Sequence, residues 1–80
     1  MRVNVLAFGI AKDIFGASAV EVEVAEEATV ASLKTTLEAQ YPRLKQLTSY
    51  MVAVNSEYAE ADNTLQHRDE IAIIPPVSGG

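Results

Sequence analysis

One segment of this chain has the hydrophobic period of a long helix, and stretches rich in β-branched residues lie on both sides of it. Its apolar positions recur at spacings of three, four and four residues, at Val30, Leu33, Leu37 and Tyr41. Thr29 offers an N-cap oxygen, although Ser32 replaces the Glu or Gln of a full capping box, and Pro42 ends the pattern. A helix with a single apolar stripe must bury it against another element. We therefore predict an α+β fold whose sheet has one covered face.

Four other segments have the composition of strands: Val3–Phe8, Val20–Val24, Met51–Asn55 and Glu70–Ile74. The second is the clearest, because apolar residues alternate with glutamates. Gly9–Gly16 predicts a single helical or irregular turn, and Asn55-Ser56 a turn into a short, weakly patterned stretch that contains Tyr58. Leu65 is expected to fill the core from a loop. The predicted order is β, β, α, β, a weak β and β.

Strand parity divides the apolar side chains between the two faces of the predicted sheet. Val3, Val5, Ile71 and Ile73 form the expected helix-facing set, which leaves Leu6, Phe8, Ala72 and Ile74 on the opposite face. Apolar side chains on an uncovered face are a candidate interface. The alternative is that a loop or the C-terminal tail folds over them.

Composition excludes several classes of function. A chain of 80 residues without cysteine is one small domain that has no disulfide, no thiolate metal site and no cysteine nucleophile. The formal net charge of −5 disfavours nucleic-acid binding and favours a partner with a basic surface. No apolar run reaches the length of a membrane span and the N-terminus lacks a signal-peptide pattern, so a cytoplasmic location is expected.

Isolated polar residues do not suggest a catalytic or metal site. His67 is the only histidine and is expected to be a solvated loop residue. Four glutamates are expected to be solvated as well, or else to face a basic partner: Glu21, Glu23, Glu26 and Glu27. No nucleophile, base and orienting group stand out together, so a self-contained enzyme is the least favoured class.

The C-terminal segment offers a different kind of chemistry. Pro75-Pro76 predicts a stiff exit from the last strand, so we expect a domain over residues 1–76 and an extended tail over 77–80. Gly79 and Gly80 carry no side chain and could enter a narrow channel, where the terminal carboxylate is the only reactive group. ATP could activate that carboxylate as an acyl-adenylate. The alternative is a chain end without function.

The strand and helix order, closing on Asp69–Gly80, resembles the small subunits of molybdopterin synthase, which are ubiquitin-like sulfur carriers with a β-grasp fold. Further support comes from Val5–Phe8 leading to Gly16, from Thr29-Val30 with Leu33 and Leu37, and from Ala53–Asn55. The resemblance implies that an activating enzyme related to ubiquitin-activating enzymes uses ATP to adenylate Gly80. A sulfur donor then forms a thiocarboxylate, and sulfur passes to a pyranopterin precursor. The chain itself would bind no cofactor and would be the non-catalytic, sulfur-donating subunit of a hetero-oligomer.

The resemblance also implies how the large catalytic subunit is bound. Phe8, Tyr58 and Ile74 would pack on it, and the tail would enter it through Pro75, Pro76, Val77 and Ser78. Parity selects Phe8 and Ile74 independently, whereas Tyr58 rests on the resemblance alone. Relatives usually carry glycine where this chain has Arg68, so the turn there is expected to differ. Alternatives are a carrier for thiamin or tRNA thiolation, a protein modifier, or a passive docking domain.

Overall fold

The computed structural model describes residues 1–47 and 50–75. Its elements, in chain order, are β1 (Arg2–Ala7), α1 (Ile10–Phe15), β2 (Ala19–Glu23), α2 (Val30–Gln40), a 3-10 helix (Pro42–Gln46), β3 (Met51–Val54), β4 (Glu57–Tyr58) and β5 (Glu70–Ile74). The strands form one sheet in the order β2-β1-β5-β3-β4. β1 and β5 are parallel, and the other neighbours are antiparallel. The predicted α+β fold, a mixed sheet with one main helix, is confirmed.

Local chemistry explains where α2 begins and ends. The Thr29 hydroxyl oxygen accepts a hydrogen bond from the backbone N–H of Ser32 at 3.3 Å, and the Ser32 hydroxyl oxygen accepts one from the N–H of Thr29 at 2.9 Å. Serine thus completes the reciprocal capping box that usually takes Glu or Gln. The helix ends at Gln40, two residues before Pro42. That proline begins a 3-10 helix, an element that the sequence did not predict.

The core lies between α2 and one face of the sheet. Leu33 and Leu37 are fully buried and belong to the same apolar cluster as the predicted helix-facing set on β1 and β5, namely Val3, Val5, Ile71 and Ile73. Leu65 enters this cluster from a loop, as predicted, and its N–H donates to the carbonyl of Ala28 at 2.7 Å. The covered face of the sheet is therefore a continuous hydrophobic core.

The first strand is shorter than predicted at its C-terminal end. β1 ends at Ala7, and the carbonyl of Phe8 accepts a hydrogen bond from the N–H of Ala11 at 3.0 Å as the chain enters α1. The predicted helical turn is confirmed as α1, which is six residues long. Gly16 ends it in the left-handed conformation at φ 75°, which glycine adopts without a steric penalty.

Three tight turns use residues other than glycine at positive φ, and Glu27, at φ 63° before α2, lies in the first of them. Asn55 and Ser56 have φ values of 51° and 72°, as in the two-residue turn that joins strands β3 and β4. Arg68 has a φ of 67° in the loop before β5. Arginine thus adopts the backbone conformation that glycine accommodates most easily.

Candidate functional site

The uncovered face of the sheet is apolar at one end. Residues that are paired across neighbouring strands lie on the same face of a sheet. Ala72 pairs with Leu6 and with Ala53, and Ala53 pairs with Tyr58, so these residues form one row across four strands. Met51 pairs with Ile74 in the row beyond it. We define the open patch as the side chains of these rows that are not buried, together with Phe8, which follows β1 on the same parity: Leu6, Phe8, Met51, Tyr58, Ala72 and Ile74.

Several side chains of the open patch are unusually accessible for apolar residues. Phe8 and Met51 are each 50% exposed, and Tyr58 is 67% exposed. Leu6, Ala72 and Ile74 are half-buried. Within residues 1–47 and 50–75, no loop covers Phe8, Met51 or Tyr58. Large apolar groups gathered on one face are typical of a surface that binds a partner.

Phe8 also borders a shallow groove at the start of α1. Leu6 and Ala19 contribute apolar walls, and Lys12 brings a positive charge to its edge. The groove is open to solvent. It extends the open patch toward the first helix and does not form an enclosed substrate cavity of the kind that small-molecule sites require.

The chain leaves the sheet beside the open patch. A Cβ built on Gly9 would lie 3.4 Å from Cγ of Pro75, so the proline ring sits against the backbone that follows Phe8. Gly9 has φ 55° and ψ −130°, a combination that side chains other than that of glycine disfavour strongly. Pro75 follows Ile74 directly, and the remaining predicted site residues, Pro76, Val77, Ser78, Gly79 and Gly80, lie outside the described residues.

The opposite end of the same face is polar. The Arg2 guanidinium lies 3.6 Å from a carboxylate oxygen of Glu21 and 4.0 Å from one of Glu23, and all three side chains are exposed. Ion pairs of this kind contribute little to stability. The face therefore changes from charged to apolar along the strands, and the apolar end is the one from which the C-terminal segment departs.

Two further polar contacts involve residues outside the open patch. His67 is exposed, as expected, and its Nε2 lies 3.2 Å from Oε1 of Glu26, a hydrogen bond that lowers the pKa of the Glu26 carboxyl. On the helix side, the Tyr50 hydroxyl donates to Oε2 of Glu38 at 2.6 Å, and burial together with this contact raises the pKa of Tyr50 above its ordinary value. Both contacts join segments that are distant in the sequence and do not assemble a catalytic group.

The described part of the chain contains no group of three or more His, Cys, Asp or Glu side chains that could hold a metal ion. Within the same residues, no helix is long and apolar enough to cross a membrane. The structure brings three of the sequence-predicted residues, Phe8, Ile74 and Pro75, to one end of the sheet. Tyr58 joins the same face through its pairing with Ala53.

Met51 belongs to this surface and was missed from the sequence. The stretch Met51–Val54 is apolar at every position, so parity alone does not assign its members to a face. The pairing of Met51 with Ile74 assigns Met51 to the uncovered face.

The fold and the open patch define a protein of the ubiquitin-like β-grasp class. Solved structures of the same fold include SAMP1 from Haloferax volcanii, with a TM-score of 0.87, 27% sequence identity and full coverage of both chains. A putative molybdopterin converting factor subunit 1 from Pyrococcus furiosus has a TM-score of 0.90 at 24% identity and covers 96% of this chain and 99% of its own. A chain in the complex of subunits 1 and 2 of the molybdopterin-converting factor from Helicobacter pylori has a TM-score of 0.72 at 23% identity, with full coverage of both chains.

The chain belongs to the ThiS family, whose profile matches residues 5–80. It is 35% identical to the molybdopterin synthase sulfur carrier subunit of Arabidopsis thaliana, over 100% of this chain and 84% of that protein. It is also 35% identical to the protein of the same name from Homo sapiens, over 99% of this chain and 94% of that protein. The resemblance inferred from the sequence is thus confirmed at the level of the family.

Proposed function

We propose that this protein is the sulfur carrier subunit of a molybdopterin synthase. The observation that carries the proposal is the position of the open patch beside Pro75, after which five residues lead to Gly80. Five residues span at most about 18 Å when extended. A partner that binds the patch would therefore receive the terminal carboxylate within about 18 Å of Pro75.

The chemistry takes place on the Gly80 carboxylate. An activating enzyme transfers the adenylyl group of ATP to the carboxylate and releases pyrophosphate. A sulfide equivalent from the donor attacks the carbonyl carbon and displaces AMP, which leaves a thiocarboxylate. Transfer of the sulfur to the pterin precursor, with addition of water to the carbonyl carbon, restores the carboxylate. Gly79 and Gly80 suit these steps because neither places a Cβ beside the attacked carbon.

The partner in this proposal is the large catalytic subunit of the synthase. Phe8, Met51, Tyr58 and Ile74 offer an apolar contact surface, and residues 76–80 enter the partner's active site. The H. pylori complex of subunits 1 and 2 is consistent with such an assembly. In this assembly the carrier supplies the sulfur and the large subunit binds the pterin, which agrees with the shallow grooves of the described surface.

The decisive experiment detects a thiocarboxylate at Gly80. The purified protein is incubated with an activating enzyme, ATP and a sulfur donor, and then treated with iodoacetamide. Because the chain has no cysteine, an alkylated C-terminal peptide identifies the new sulfur. Peptide data are needed because the exchange of oxygen for sulfur changes the mass nearly as oxidation of a methionine does. A chain with one alanine added after Gly80 is the control and should remain unlabelled; labelling of both chains would refute the proposal.

A second candidate, a protein modifier, is favoured by the similarity to SAMP1, which is described as small archaeal modifier protein 1. This function would join Gly80 to lysines of other proteins. Trypsin cuts after Arg68, so a modified lysine would carry the twelve residues 69–80. Such remnants in a reaction without sulfur donor would support the modifier, whereas sulfur transfer to the pterin precursor supports the carrier.

A further inference from the structure

Met51 is the more exposed of the two methionine side chains. The sequence contains two methionines and no cysteine. Met1 is half-buried and packs against the core cluster, whereas Met51 is 50% exposed on the open patch. Oxidation of methionine follows accessibility, so a mild oxidant should reach Met51 first.

Oxidation of Met51 would change the polarity of the open patch close to the point where the C-terminal segment leaves the sheet. Met51 is paired with Ile74, the residue before Pro75, on the face that also carries Phe8. A hydroperoxide transfers one oxygen atom to the thioether sulfur; the O–O bond breaks, the sulfur is oxidised to a sulfoxide, and the peroxide is reduced to water or an alcohol. The product is a polar side chain that accepts hydrogen bonds, next to Ile74 on an apolar surface.

We propose that Met51 is an oxidation site and that its sulfoxide blocks docking of the large subunit. The inference rests on the proposed function, because it needs that partner to bind the open patch. Burial of a sulfoxide against apolar atoms, without a donor to satisfy it, should weaken binding about tenfold or more. In the complex the same sulfur is covered, so only the free carrier is sensitive to peroxide.

The test uses the whole chain with its C-terminal carboxylate intact. Hydrogen peroxide is added until one oxygen atom has been taken up, and cleavage after lysine separates Met1, in residues 1–12, from Met51, in residues 46–80. Affinity for the large subunit is then measured by calorimetry before oxidation, after oxidation and after treatment with methionine sulfoxide reductase. The expected result is oxidation in 46–80, at least tenfold weaker binding, and recovery after reduction.

The variant Met51→Leu separates oxidation of this residue from other damage. Leucine keeps the size and apolarity of the side chain but cannot form a sulfoxide, so the affinity of this variant, compared with its own value before treatment, should not change with peroxide. Equal binding by the Met51 sulfoxide and the reduced protein would overturn the inference and leave the carrier function intact. If the unoxidised protein does not bind the large subunit at all, the proposed function is refuted, and the inference about Met51 is refuted with it. Faster oxidation of Met1 than of Met51 would also refute the inference.

Discussion

The ring of Pro75 lies against Gly9, so close that a Cβ on the glycine would be 3.4 Å from Cγ of the proline. This contact connects the last described residue of the C-terminal segment to the backbone between β1 and α1. It fixes where the chain departs relative to Phe8. The point at which the chain leaves the sheet is thus next to the surface that we propose for docking.

Substitution of Gly9 should destabilise the protein more than the same substitution of Gly16. Gly9 has φ 55° and ψ −130°, whereas Gly16 lies in the left-handed region at φ 75° and ψ 13°, which alanine tolerates at lower cost. We expect Gly9→Ala to lower the free energy of unfolding by about 2 kcal/mol and Gly16→Ala by about 1 kcal/mol. Urea unfolding measures both. Equal losses would show that the unusual ψ of Gly9 carries no extra cost.

Replacement of Arg68 by glycine should stabilise the fold. The residue has φ 67°, so glycine relieves steric strain, although it also increases the entropy of the unfolded chain. The expected net gain is about 0.5–1 kcal/mol, which would raise Tm by a few degrees in a domain of this size. Arg68→Ala keeps the Cβ and is the matched control, with no gain expected. If Arg68→Ala also stabilised the protein, the gain would come from loss of the charge and not from relief of backbone strain.

Truncation of the open patch should weaken binding of the large subunit without unfolding the carrier. Phe8 and Tyr58 are exposed, so Phe8→Ala and Tyr58→Ala should change stability little. Each should raise Kd about 5- to 150-fold, as expected when an aromatic contact residue of an interface is truncated. Ile10→Ala is the control, because Ile10 is 48% exposed but lies on α1 outside the open patch. Similar losses in all three variants would argue against a specific docking surface.

Ionisation of Tyr50 should destabilise the protein at high pH. Burial, with the hydrogen bond to Glu38 as a second cause, raises the pKa of Tyr50 in the folded state above the ordinary value of 10.0. The stabilising effect is therefore complete below pH 10 and is lost as pH rises toward the folded pKa. The free energy of unfolding should fall above pH 10 more steeply than in Tyr50→Phe. Parallel curves for the two proteins would refute the assignment.

Local patterns predicted the secondary structure well because each element is specified by neighbouring residues. The spacing of Leu33 and Leu37, together with the stop at Pro42, identified α2, and strand parity assigned Val5 and Ile73 to the core. The 3-10 helix over Pro42–Gln46 was missed, because a short turn of this kind has no distinctive period. The positive φ of Arg68 was missed as well, since nothing in its side chain favours that conformation.

The sequence by itself determined the α+β class, the buried face of the sheet and the chemical character of the C-terminal segment, since these depend on residue type and local spacing. Only the tertiary structure decided that β5 lies between β1 and β3. That arrangement pairs Met51 with Ile74 and brings Pro75 against Gly9, across long separations in the chain. Such pairings depend on the packing of all strands at once. The open patch therefore forms only when the strands pair, and no single residue type in it marks the surface in the sequence.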